Sequence, residues 1–238
     1  MPESPRILGL IPARGGSKRL PRKNLLPLAG RPLISWTIDA ARSSRLIEQV
    51  IVSTDDAEIR DASLAAGAEI PFLRPAEIAS DTASTLEVLL HALKQLIAQG
   101  QHYEYVVLLQ PTSPLRTSAD IDNAIELLLE KQADAVVSVC PTDHPPEWSN
   151  TLPSDLSMRH FFRPGIRATR SQDLPPSYRL NGAIYIFRIE RLLRGESLEM
   201  DDNSYAYVMP RERSVDIDSE LDFRIAELML GQDPADSK

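Results

Sequence analysis

The chain of 238 residues predicts an α/β fold, doubly wound around a mostly parallel sheet. Three observations carry this reading. Apolar periodicity switches repeatedly between strand-like and helix-like spacing along the chain. The run Tyr105–Leu109 is nearly all apolar, as strands buried on both faces of a parallel sheet are. The composition, 42% hydrophobic and 25% charged with a mean hydropathy of -0.21, suits one sizeable globular domain.

The elements follow in order. A first strand over 6–11 leads into a polar loop running from Pro12 to Asn24. Pro32 stands where a helix can begin, with Leu33, Trp36, Thr37 and Ala40 at helical spacing. Val50–Ser53 reads as a second strand, and Asp55 and Asp56 are placed to cap a helix that stops near Gly67. A short third strand is expected over 70–73. From Ser84 to Gln99, Leu86, Leu89, Leu90, Leu93, Leu96 and Ile97 form one stripe, closed by Gly100. Tyr105–Leu109 is the fourth strand. Ser118 is positioned to cap a helix carrying Ile121, Ile125, Leu128 and Leu129, and 135–139 is a strand. The regularity then breaks. From Pro141 to Tyr178 the chain is rich in proline and longer than an ordinary loop. It reads as an inserted arm that covers the site or contacts a partner subunit, with a meandering surface excursion as the alternative. Beyond it come a strand over 182–187, a short helix near Leu192, a strand over 205–209, extended chain over 214–217, a helix over 219–230 and a frayed tail over 231–238. The expected organisation is a single domain, 1–238, with 141–180 as an inserted dimerisation arm.

Charge and cysteine content exclude several functions. Against 34 acidic residues stand 26 basic ones, a formal charge of -8, which argues against a nucleic-acid partner. The single cysteine, Cys140, leaves no intrachain disulfide and no cysteine-built zinc site, and suits a reducing cytoplasm. The apolar run Ile7–Ile11 is stopped by Pro12, and nothing approaches the ~20 apolar residues of a membrane span. The expected location is the cytoplasm, with no membrane partner.

The loop after the first strand is the most informative stretch. Between Ser4 and Ile38 lie seven basic residues and no acid, in a chain of charge -8. Arg14, Lys18, Arg19, Arg22 and Lys23 fall within ten positions, interleaved with Gly15 and Gly16. Glycines let backbone N–H groups approach an anion, and neighbouring cations neutralise a polyphosphate. The spacing is neither that of a P-loop nor G-x-G-x-x-G. A solvated basic loop is the bland alternative. A second constellation is Val215-Asp216-Ile217-Asp218, which in extended chain puts both carboxylates on one face. Such a pair suits Mg²⁺ shared with substrate phosphates; alternatively Asp218 caps the helix that follows and Asp216 pairs with an arginine. Third, Gln110 leaves the central strand at its carboxyl end, where open α/β sheets bind ligands. Arg116 offers an anion contact, or belongs to a proline-stiffened turn. Arg170 and Arg179 read alone as surface arginines. The four histidines show no metal-ligand spacing, and Cys140 reads as core filler.

In this order the pieces resemble the acylneuraminate cytidylyltransferase family, the CMP-sialic acid synthetases, over about residues 6–230. The matching motifs are 11–18 with Lys23-Asn24, Ser53-Thr54-Asp55, Arg74-Pro75, Ser80-Asp81-Thr82, 109–116, Arg179 with Asn181-Gly182-Ala183-Ile184-Tyr185, and Asp216-Ile217-Asp218. The related Kdo cytidylyltransferases share the first loop but carry a glycine-aspartate-glutamate-proline turn where this chain has Gln110-Pro111-Thr112-Ser113-Pro114. The resemblance implies a Rossmann-like nucleotidyltransferase that moves CMP from CTP to the anomeric hydroxyl of a nine-carbon acidic sugar and releases pyrophosphate. The acceptor is N-acetylneuraminate or a relative such as legionaminate or pseudaminate, with Kdo or a non-catalytic nucleotide-binding role as alternatives. It further implies that Arg14, Ser17, Lys18 and Lys23 hold the triphosphate and that Asn24, Arg74 and Thr85 place cytidine. Gln110, Arg170 and Arg179 face the sugar, and Asp216 and Asp218 hold Mg²⁺. Lys18, Arg170, Asp216 and Asp218 form the catalytic set, and the protein is a homodimer. The chain departs from the family at Ser171, where an arginine is common (Arg170 stands one place earlier), and at Trp148, where some members have lysine.

Overall fold

Six strands assemble into one sheet in a computed structural model that describes residues 5–16, 19–80, 83–162, 170, 174–195, 198 and 200–231. In chain order the elements are β1 (Ile7–Pro12), β2 (Pro27–Leu28), β3 (Arg31–Pro32), α1 (Leu33–Arg42), β4 (Gln49–Ser53), α2 (Ala57–Ala65), α3 (Thr85–Ala98) and β5 (Tyr105–Leu109). They continue with α4 (Ser118–Lys131), β6 (Ala135–Pro141), β7 (Tyr178–Arg188), α5 (Ile189–Leu193), β8 (Ser204–Val208) and α6 (Glu220–Gly231). The sheet order is β4-β1-β5-β7-β6-β8. All its pairings are parallel except those of β7, which runs antiparallel to both β5 and β6. The mostly parallel, doubly wound architecture is therefore present, with one reversed strand.

Each face of the sheet buries its own cluster. On one, Ile11, Val52, Val107 and Ile184 meet Ile34 and Ile38 of α1, Ile59 of α2, and Ile121, Ile125 and Leu128 of α4. On the other, Leu8, Leu10, Ile51, Val106 and Leu108 meet Leu89, Leu93 and Leu96 of α3 and Leu192 of α5. Alternate residues of β1 and β5 thus serve opposite cores, which is why Tyr105–Leu109 is nearly all apolar. Each such fully buried side chain contributes about 1.5–3 kcal/mol.

Local chemistry fixes the element ends. Asp56 caps α2 by accepting from the backbone N–H groups of Glu58 and Ile59, and Gly67 follows at φ +86°. Asp55 does not cap; one of its oxygens accepts from the Gly15 N–H at 3.2 Å. Ser84 and Glu87 form a capping box on α3. On α4 the cap is Thr117, one residue before the expected Ser118, because Asp120 completes the reciprocal box with Thr117. The strand expected over 70–73 does not form. A lone bridge joins Ile51 to Glu69, and Pro71, lacking an N–H, ends the pairing. A two-stranded hairpin, β2 with β3, precedes α1, turning through Ala29 and Gly30 at φ +47° and +79°, the signs of a type I′ turn. The strand expected over 182–187 is longer on both sides, and the segment 214–217 pairs with no strand. The arm lies between the end of β6 and the start of β7; in it, Pro146–Trp148 forms one 3₁₀ turn, and His144 stacks on Trp148. Residues 163–169 and 171–173 of the arm, Ser17 and Lys18, Asp81 and Thr82, and the tail from 232 onward lie outside the described residues.

Because β7 alone is reversed, the carboxyl ends of β1, β4 and β5 and the amino end of β7 share one edge. The loops 13–24, 54–56 and 110–117 all emerge there, beside Arg179 and Asn181.

Candidate active site

The loop leaving β1 is pinned by backbone groups. Ala13 N–H donates to the Ser53 carbonyl at 3.0 Å, and the Asn24 amide donates to the Arg14 carbonyl at 3.1 Å. Asn24 is 6% exposed, so this buried amide holds the loop closed. Gly15 is obligatory on steric grounds: a Cβ there would sit 2.5 Å from an Asp56 carboxylate oxygen, and Asp56 is fixed as the α2 cap.

Three adjoining cavities open along this edge, and Gln110 lines all of them. The first, about 400 Å³, is lined by Arg14, Arg19, Lys23, Asn24, Gln110, Thr112 and Asp218. The second, about 340 Å³, is lined by Arg14, Arg74, Ser80, Thr85, Val88 and Gln110. The third, about 140 Å³, is enclosed by Thr85, Leu108, Gln110, Tyr185, Phe187, Leu198 and Met200. The first is cationic, the second joins one arginine from each of two loops to the start of α3, and the third is chiefly apolar.

Charge in the first cavity is organised around the aspartate pair. Asp218 accepts from Arg19 at 2.9 Å and from the Lys23 ammonium at 3.2 Å. Lys23 also donates to the Ile217 carbonyl, and its side chain is only 13% exposed. Ile217 N–H in turn donates to the Thr112 carbonyl at 2.8 Å, which ties the aspartate segment to the loop after β5. Asp218 is not the cap of α6. That position belongs to Ser219, whose backbone N–H and hydroxyl reach Asp222 at 2.8 and 2.7 Å. Asp216 differs from its neighbour. One of its oxygens is buried with no hydrogen-bond partner among the described residues, and the carboxylate lies over Gly182, whose Cβ position is 3.5 Å away. Burial, with the nearby charge of Asp218, raises the Asp216 carboxyl above the usual range, while the Thr112 side chain, Lys23 and Arg179 oppose that rise. The arginine partner weighed for Asp216 is thus an electrostatic neighbour, Arg179, rather than a hydrogen-bonded one.

The donor set fits a hard divalent cation. Two carboxylates flank one residue, one of them carries a buried bare oxygen, and the raised Asp216 pKa marks negative charge short of compensation. Among the described residues no group of three or more metal-ligating side chains forms, so the remaining ligands would be substrate phosphates and water.

The other expected residues divide. Arg74 is 7% exposed; it donates to the Ser53 carbonyl at 2.6 Å, and its Nε is buried without a partner. Burial lowers its pKa, with Arg14 adding to the effect. Arg116 is not at the cleft surface. It is 2% exposed and donates to the Ala183 and Gln110 carbonyls at 2.9 and 3.3 Å, joining the loop after β5 to β7, with burial lowering its pKa to about 9. Arg170 is exposed and lines none of these cavities. Sequence reasoning missed Arg19, Thr112, Tyr185, Leu198 and Met200 as lining or contacting residues. Arg19 belongs to the basic cluster and Tyr185 to the Asn181–Tyr185 motif, but nothing local distinguishes Leu198 and Met200.

A mostly parallel α/β sheet with a cationic cleft at its carboxyl edge is the arrangement in which open α/β proteins hold anionic ligands. Residues 8–156 match the family model described as "Cytidylyltransferase". The chain is 35% identical over 231 residues to a CMP-N,N'-diacetyllegionaminic acid synthase of Legionella pneumophila, covering 94% of this chain and 96% of that protein. It is 33% identical over 222 residues to a pseudaminic acid cytidylyltransferase of Campylobacter jejuni, covering 93% and 95%. It is 39% identical over 223 residues to an N-acylneuraminate cytidylyltransferase of Escherichia coli, covering 93% of this chain and 51% of that protein. A structure of CMP:2-keto-3-deoxy-manno-octonic acid synthetase complexed with CTP superposes with a TM-score of 0.70 at 18% identity, covering 94% and 98% of the two chains, a likeness of fold. The chain belongs to the cytidylyltransferase family.

Proposed function

We propose that this cytidylyltransferase moves CMP from CTP to the anomeric hydroxyl of a nine-carbon acidic sugar. The observation that carries the proposal is the first cavity, where Arg14, Arg19 and Lys23 converge within reach of the Asp216–Asp218 segment in a chain of net charge -8. The sugar oxygen attacks the α-phosphorus of CTP, the α–β bridging P–O bond breaks, pyrophosphate leaves, and the hydroxyl proton passes to water. Such transfers depend mainly on positioning and charge neutralisation. Arg14 and Lys23, joined by Ser17 and Lys18, are assigned to the triphosphate. Arg74 and Thr85 are assigned to the cytidine in the second cavity, with Asn24 acting through the Arg14 carbonyl. Mg²⁺ bound at Asp216 and Asp218 would offset charge on the leaving pyrophosphate and acidify the attacking hydroxyl.

Gln110 and Arg179 are assigned to the sugar. The apolar third cavity beside Gln110 supports an acceptor bearing N-acyl groups, whose methyls would lie against Leu198, Met200, Tyr185 and Phe187. The Legionella, Campylobacter and Escherichia relatives are named for N,N'-diacetyllegionaminic acid, pseudaminic acid and N-acylneuraminate, and N,N'-diacetyllegionaminate, pseudaminate and N-acetylneuraminate are the proposed acceptor set. The same proposal includes a homodimer in which Arg170 of the arm completes the neighbouring sugar site. Exposed Leu152, Leu156, Met158 and Phe162 along the arm support such a contact. A cytoplasmic location accords with the buried, unpaired Cys140; no helix among the described residues is long and apolar enough to cross a membrane.

The test is pyrophosphate release from CTP with Mg²⁺ across N-acetylneuraminate, N,N'-diacetyllegionaminate, pseudaminate and Kdo. Release with one of the nine-carbon acids is expected. Release with none of them, or with Kdo alone, would overturn the proposal.

A further inference from the structure

The two aspartates of the proposed metal pair are in different states. Asp216 holds a buried oxygen with no partner, whereas both oxygens of Asp218 are engaged, one by Arg19 at 2.9 Å and the other by Lys23 at 3.2 Å. The two cations are also unlike each other. Lys23 is 13% exposed and anchored a second time on the Ile217 carbonyl, so it is part of the frame. The Arg19 side chain is 78% exposed, and the Asp218 carboxylate is its one anchor among the described residues, in an ion pair of the solvent-facing kind that is cheap to break. Arg19 also lines the same cavity as Arg14 and Lys23, so a triphosphate placed there lies within its reach.

We propose that Arg19 is an exchanging cation: it pairs with Asp218 while the cavity holds no nucleotide, and moves to the phosphates when CTP enters, freeing Asp218 for the divalent cation. This inference rests on the cytidylyltransferase reading of the cleft. Its physical basis is competition for charge. A guanidinium on Asp218 both occupies the oxygen a metal needs and repels the metal as a like charge. A triphosphate offers the same guanidinium more negative charge and bidentate geometry. Removal of Arg19 from Asp218 therefore favours the metal, and because coupling between two ligands is reciprocal, the metal favours nucleotide capture of Arg19 in turn. Arg19 acts on the metal through Asp218 and is a positioning residue in that respect, while its contact with the nucleotide is direct.

The test measures binding rather than turnover. Mn²⁺ affinity is read by electron paramagnetic resonance of the free ion, without nucleotide, for wild type, Arg19→Gln and Arg19→Lys. CTP affinity is read by calorimetry in EDTA for the same proteins. In Arg19→Gln, Mn²⁺ alone should bind about five- to tenfold tighter, and CTP alone about five- to tenfold weaker, than in wild type. Arg19→Lys should fall between. A purely structural Arg19 would move neither affinity, or would weaken both together; either outcome overturns the exchange. If wild type binds Mn²⁺ and CTP but Arg19→Gln binds Mn²⁺ no tighter, only this inference fails. If wild type binds neither, the cytidylyltransferase reading of the cleft fails with it.

Discussion

Asp120 carries the anchor that holds the aspartate segment in place, and replacing it by alanine tests how the site is built. Its carboxylate is 1% exposed and receives two Arg213 nitrogens, both at 2.8 Å, the Thr117 N–H at 3.0 Å, the Thr117 hydroxyl at 2.8 Å and the Tyr207 hydroxyl at 3.2 Å. It therefore joins the start of α4 to the turn three residues before Asp216. Breaking a buried ion pair costs about 3–5 kcal/mol when the surviving charge stays buried. Arg213 is 41% exposed and can rehydrate, so that contribution falls to about 1–2 kcal/mol. Loss of the capping box adds about 1 kcal/mol, and the half-buried Tyr207 hydroxyl, left without this acceptor, adds up to about 1 more. Asp120→Ala should thus lose about 2–4 kcal/mol, which for a chain of this size lowers Tm by about 4–16 °C. The pH dependence has a definite sign. Burial alone would raise the Asp120 carboxyl, but the bonds from Arg213 and Thr117 outweigh it and hold it below the usual range. Its stabilisation is therefore complete above the ordinary carboxylate pKa and is lost as pH falls through that value toward the lowered one. Melting curves of wild type and variant from pH 7 down to about pH 3 read both effects. A Tm within about 2 °C of wild type at pH 7, or a gap that widens in acid, would refute the reasoning.

Lys23→Ala should weaken CTP binding by about tenfold or more, the loss of one charge-assisted contact of about 1.5–3 kcal/mol, with Lys18→Ala behaving alike; unchanged dissociation constants in calorimetry for both would contradict the phosphate cradle. Asp218→Asn and Asp216→Asn should each cut turnover severely, since amides are weaker ligands for a hard cation. Asp218→Ala should leave Tm nearly unchanged because Ser219 and Asp222 cap α6; a loss near 1 kcal/mol in Asp218→Ala alone would return the capping role to Asp218. Light scattering at micromolar concentration should give a dimer mass, and a fully active monomer would remove the arm from the site.

Much of this was legible in the sequence because it was local. Apolar runs and caps placed β1, β4, β5, α2 and α3 within a residue or two, since a strand such as Tyr105–Leu109 announces its two-sided burial and Asp56 its N–H targets. Shifts arose where a neighbour decided. Asp120 made Thr117 rather than Ser118 the cap, Asp222 did the same for Ser219 in place of Asp218, and Pro71 ended a pairing that the apolar run over 70–73 suggested. The reversed direction of β7 was not legible, because strand direction depends on the path of the long arm. The site showed the same division. The basic loop, Gln110 and the aspartate pair are marked by charge and position. The inequality of Asp216 and Asp218, the withdrawal of Arg116 into the interior and the lining by Leu198 and Met200 depend on distant contacts that no local pattern encodes.

The central claim is that an acidic sugar's hydroxyl attacks the α-phosphorus of CTP in this cleft. It is tested most directly by running the reaction with the sugar's anomeric hydroxyl labelled with ¹⁸O and following the products by ³¹P NMR and mass spectrometry. The account predicts that the label appears in the bridging oxygen of a CMP-sugar, formed in equal amount with unlabelled pyrophosphate, and that product is lost in Asp216→Asn. Label found in pyrophosphate, or CTP consumed only to CDP and phosphate, would contradict it.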